Sequence, residues 1–114
     1  MDLKGSRFRG LFDFVIIMKT QFYILLSLKT PQGFVDYGQY FIGNDCEAAY
    51  SLFDQLKGNS ILQDHAVLHI DLMETQNEVP VNIKSKCCTL EELGWNCKQI
   101  TREVFRLRNI KEAA

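Results

Sequence analysis

The chain predicts an α+β domain, a two-layer sandwich of order β-β-α-β-β-α, with a four-stranded antiparallel sheet carrying two helices on one face. Three observations predict it. Apolar runs with β-type patterning occur at Phe22–Leu28, Phe34–Ile42, Ala66–Glu74 and Val79–Lys86. Each pair of runs is joined by turn-forming residues, Thr30-Pro31-Gln32-Gly33 and Gln76-Asn77-Glu78. Each pair is followed by a segment with apolar residues at helical spacing behind a capping residue. The halves share a pattern and no convincing residue-level identity, so this is at most a structural repeat.

In the first hairpin, Pro31 is preset for the first corner of a type I turn and Gly33 for the left-handed position after it. That predicts a three-residue loop, with Leu28 facing Asp36, Leu26 facing Gly38 and Ile24 facing Tyr40. One face then gathers Phe22, Ile24, Leu26, Leu28, Tyr40 and Ile42 and is the expected core. The other gathers Tyr23, Leu25, Val35, Tyr37 and Phe41 among Ser27, Lys29 and Gln39. A one-residue slip in register would exchange the faces.

Gly43-Asn44 ends the hairpin and opens a helix. Asn44 is the expected cap, with Glu47 placed as in a capping box. Ala49, Leu52, Phe53 and Leu56 form the apolar face, and Gly58 is the expected left-handed stop. In the third strand Ala66, Leu68, Ile70 and Leu72 point one way and Val67, His69, Asp71 and Met73 the other. In the fourth, Pro80 cannot donate to a ladder, which predicts an edge strand; Lys84 and Lys86 would further discourage edge pairing. Thr89-Leu90-Glu91-Glu92 is a capping box. Gly94-Trp95 predicts a bend after a short first helix, with Asn96 capping the next. That last helix would run to about Lys111, with Cys97, Ile100, Val104 and Leu107 as its apolar stripe.

With 114 residues, 46% hydrophobic and 24% charged, the chain can build one ordinary globular core. Residues 18–114 form the expected single domain, and Met18 is an alternative start that would leave residues 1–17 as an N-terminal extension. The apolar run from Leu11 to Met18 is interrupted by Asp13 and lacks a small-residue cleavage site. It falls short of the roughly 20 residues that span a bilayer, so no membrane partner is expected.

A net charge of −1 gives no global field for nucleic acid or acidic lipid. Acids cluster between Phe34 and Glu78, where Lys57 stands alone as a cation, and Lys and Arg predominate after Val79. A secreted disulfide scaffold usually carries more cysteines than Cys46, Cys87, Cys88 and Cys97, spread through loops, whereas Cys46 and Cys97 fall in expected helices beside apolar positions. They read as buried free thiols of a reducing, cytoplasmic setting.

No motif carries chemistry outright. Cys87, Cys88 and Cys97 are candidates for a metal or redox site, yet adjacent cysteines point to opposite sides of a strand and no second paired motif exists. His65 and His69 read as solvent-facing imidazoles. Cys88, His69 and Asp71 make a nucleophile, base and acid on paper, without a strained elbow to present them. Glu91-Glu92 is explained by the helix N-terminus, and the scattered glycines cradle no phosphate. No cofactor, metal or enzymatic activity is expected. Single-stranded nucleic-acid binding has a partial signal in Lys98, Arg102, Phe105 and Arg106 along one helical stripe.

The stronger expectation is protein association. A two-layer fold leaves one sheet face open, and the face assigned to Tyr23, Leu25, Tyr37 and Phe41 is more apolar than solvent favours. Its expected cover is a second copy of the chain in a homodimer, another protein, or residues 11–17. Phe105 is a second candidate contact.

Overall fold

The computed structural model describes residues 20–110, so the expectations about residues 1–17, including their role as a cover, lie outside the described residues. The elements follow the expected order: β1 (Phe22–Thr30), β2 (Gly33–Gly43), α1 (Cys46–Gln55), β3 (Leu68–Gln76), β4 (Val79–Cys88) and α2 (Leu90–Leu107). The strands form one antiparallel sheet in the order β2-β1-β3-β4, and β4 is an edge as Pro80 requires. Both hairpins are tight. Pro31-Gln32 is a two-residue turn, where the Thr30 hydroxyl accepts from Gln32 N (3.2 Å) and donates to Gly33 O (2.6 Å). Asn77 and Glu78 both take positive φ (52° and 68°), the twist that joins strands across two residues.

The shorter turn changes the register near it. Leu28 faces Val35, whereas Asp36 was expected. A bulge at Tyr37 then inserts one residue, so Leu26 faces Gly38 and Ile24 faces Tyr40 as expected. Further bulges put Ile42 and Ile83 out of step with their partners. The bulged Ile42 is buried in the core and Ile83 packs against it, so the bulges feed extra apolar groups to the helix side.

The core lies between the sheet and the helices. Phe22, Ile24 and Leu26 of β1 and Ile70 and Leu72 of β3 meet Ala49, Leu52 and Phe53 of α1 and Leu93 and Ile100 of α2. The α1 cap is Asp45, one residue later than expected; its Oδ1 accepts from Ala48 N (3.1 Å). The Thr89–Glu92 capping box is present. No bend follows it, because α2 runs unbroken through Gly94 and Trp95. Asn96 is therefore not a cap. It is completely buried.

Asn96 holds the exit of α1. Its Oδ1 accepts from Lys57 N (2.8 Å) and its Nδ2 donates to Lys57 O (2.8 Å), so one side-chain amide satisfies both backbone groups of that residue. Lys86 acts on the same turn. It is 9% exposed, and its Nζ donates to two carbonyls at the helix end, Leu56 O (2.7 Å) and Phe53 O (2.8 Å), the second of which also accepts from Leu56 N (3.1 Å). Burial lowers the Lys86 pKa. Gly58 follows with φ 144°, and a Cβ there would stand 2.9 Å from Cys87 O. Its glycine serves this close approach rather than the helix stop, since the chain is already extended at Leu56. Asn59 then exchanges two backbone hydrogen bonds with Cys87 (2.8 and 3.0 Å), covering that part of the β4 edge.

Lys86→Met should keep most of the buried stem and leave two carbonyls without their charged donor. We expect it to lower the unfolding free energy in urea by about 1.5–3 kcal/mol. Lys84→Met removes an exposed pair with Asp54 (2.8 Å) and should cost about 1 kcal/mol or less. Equal losses would contradict the role given to Lys86.

Candidate docking face of the sheet

The face turned away from the helices is read from the cross-strand partners. Its first row is Phe41-Tyr23-Met73-Asn82, its second Gln39-Leu25-Asp71-Ser85 and its third Asp36-Ser27-His69-Cys87. The first row is aromatic: the Tyr23 and Phe41 rings sit 5.8 Å apart, tilted by 46°. Phe41 is 52% exposed, while Tyr23 and Leu25 are half-buried. At the other end Phe34, 60% exposed, meets His69 edge-on at 5.0 Å.

Tyr23, Leu25 and Phe41 therefore share the expected face, and Tyr37 does not. The bulge turns Tyr37 to the helix side, where Cys97 and Cys88 lie close enough to affect its phenol. Burial raises the Tyr37 pKa, and the two cysteines add to the rise. Val35, paired with Leu28, is on that side too. Phe34 and Asp36 join the open face instead, beside Ser27, which was expected there. The alternation of β3 had already put His69, Asp71 and Met73 on one side; the missing information was the register of β2 against β1. His69 is not solvent-facing as expected. It is 5% exposed, with Nε2 3.1 Å from Ala66 O.

The basic stripe of α2 is brought together in part. Lys98, Arg102 and Phe105 line one shallow depression with Cys97 and Thr101. Lys98 and Arg102 are exposed, and Phe105 is half-buried rather than fully displayed. Arg106 is committed to Glu103, donating through Nε (3.1 Å) and Nη2. That hydrogen bond holds the Glu103 carboxyl below its ordinary range.

The sheet separates the cysteine candidates. Cys88 packs on the helix side, where its Sγ donates to Lys57 O (3.4 Å). Cys87, on the other side, directs its Sγ toward Asn59 O (3.6 Å) and Ile61 O (3.8 Å). Cys46, expected to be buried, is exposed in the first turn of α1. The Cys88, His69 and Asp71 grouping is likewise split by the sheet. Among the described residues, no group of three or more His, Cys, Asp or Glu could hold a metal ion. Burial pushes the Cys88 thiol up to about 11, with Glu92 adding to the effect, which suits packing rather than nucleophilic chemistry.

Comparison of the chain with family models, curated proteins and solved structures finds no match in any of the three.

At pH 8, alkylation of Cys88 should be about a hundredfold slower in the folded chain than in the urea-unfolded chain, since its thiolate fraction falls by two decades. Equal rates would contradict the burial of this thiol. The folded pKa lies above the ordinary 9.0, so the thiol's contribution to stability is complete below that pH and is lost as pH rises through about 11.

Proposed function

We propose that this chain is a non-catalytic protein-association module that docks a second copy of itself, or another protein, on the sheet face opposite the helices. The observation that carries the reading is the aromatic end of that face, where Phe41 is 52% exposed beside Tyr23 and Leu25. An antiparallel sheet facing water ordinarily carries polar groups there, and aromatic side chains dominate association energetics. The edges support the same reading. Strand β4 is blunted by Pro80 and by Asn59, whereas β2 presents an eleven-residue edge without Lys or Pro.

A non-catalytic role is supported by the candidate groups themselves. Cys88 is insulated from His69 by the sheet, and its high pKa disfavours the thiolate. Free thiols at all four cysteines support a reducing compartment such as the cytoplasm. Among the described residues no helix is long and apolar enough to cross a membrane.

A second reading, single-stranded nucleic-acid binding, is favoured by the depression that gathers Lys98, Arg102 and Phe105. It is weaker because the Arg106 charge is matched by Glu103.

Tyr23→Asp together with Phe41→Asp should shift the chain toward monomer in native mass spectrometry if copies pair, or raise its solubility if the partner is another protein. An anchor pair of this kind is worth at least about 2 kcal/mol, roughly thirtyfold in affinity. No change in either quantity would sink the proposal. Binding of mixed oligonucleotides at low salt, weakened by Lys98→Glu with Arg102→Glu, would favour the second reading instead.

A further inference from the structure

Next to the aromatic end, the same face sinks into a polar cleft lined by Ser27, Phe34, Asp36, His69, Asp71 and Asn82, among others. Asp36 and Ser27 are cross-strand partners, as are Ser27 and His69, while Asp71 lies in the next row. Ser27 is 3% exposed, yet its hydroxyl has no hydrogen-bond partner among the described residues. A buried hydroxyl left unmatched is a cost that a bound group would relieve. In His69, the Ala66 carbonyl can only accept, so Nε2 carries a proton and is turned to the backbone. Asn82 donates its amide to Ser85 Oγ (3.0 Å), which leaves its own oxygen free to accept.

The cleft is thus rich in acceptors and acidic, and among the described residues no Lys or Arg lines it. Lys29, the next residue on this face of β1, spends its ammonium on Asp64 O (2.6 Å). An occupant must bring positive charge and several donors. A guanidinium does both, spans two carboxylates, and stacks on an aromatic wall of the kind Phe34 supplies.

We infer that this cleft receives an arginine side chain of the protein that docks on the face, placing a charged anchor beside the aromatic one. This deepens the docking proposal and rests on it. Charge complementarity selects the occupant, and the buried, unpartnered Ser27 marks where it reaches.

The test titrates the isotope-labelled full chain with N-acetyl-arginine methylamide, using the citrulline analogue as an uncharged isostere. The arginine probe should give saturable shifts at Ser27 and His69, and citrulline none. Asp71→Asn and Asp36→Asn, near-isosteric changes on the sheet surface, should each weaken the response at least about fivefold. Absence of saturable shifts, an equal response to citrulline, or indifference to both variants would overturn the inference. The probe has no apolar part to fill the Tyr23–Phe41 end. Its failure would leave docking through that end standing, and unchanged association in the Tyr23→Asp, Phe41→Asp chain would count against docking alone.

Discussion

The fold depends on how the exit of α1 is held. A helix that ends against a sheet leaves carbonyls with no internal partner, and burying them unmatched is costly. Lys86 reaches from β4 to the carbonyls of Phe53 and Leu56, and Asn96 reaches from α2 to the next residue. One short stretch, Phe53–Asn59, is thereby tied to a helix and to an edge strand. These contacts join elements far apart in sequence, so they also fix how the two halves of the pattern sit together. A buried ammonium and a buried amide are costly on their own; each is tolerated here because it is matched by backbone groups at the end of α1.

That arrangement gives the two faces of the sheet different fates. The helix side takes the apolar groups of β1 and β3, together with Ile42 and Ile83 at the bulges. The other side keeps an aromatic end, a polar cleft and the long β2 edge. The loop that leaves the α1 exit rounds the β4 edge and brings Leu62 to the border of the cleft. Holding the α1 exit thus shapes one wall of the surface on which function is proposed.

Fold class and element order were legible in the sequence because periods of two and of helical spacing differ sharply, and because Pro31, Pro80 and Thr89 act locally. The bulges were not legible. Tyr37, Ile42 and Ile83 look like ordinary members of alternating runs, and one inserted residue is decided by packing across the sheet. Tyr37 consequently left the candidate face and Phe34 joined it. Asn96 read as a cap because Gly94 beside it resembles a break. A helical glycine costs only about 1 kcal/mol, and the capping box and the packing of Leu93 and Ile100 outweigh it. Lys86 read as an edge charge because nothing nearby in sequence announces the helix end it serves. Tyr23, Leu25 and Phe41 were correctly grouped, since they lie beyond the bulge where the expected register holds.

The central claim is that a partner covers the sheet face opposite the helices. Hydroxyl-radical footprinting would test it most directly, comparing the chain inside cells with the purified chain at high dilution. The account predicts that Tyr23, Phe41 and Met73 are oxidised less in cells, while Trp95 and Phe105 on α2 are unchanged. Equal oxidation of the first group in both settings, or protection falling on α2 instead, would contradict it.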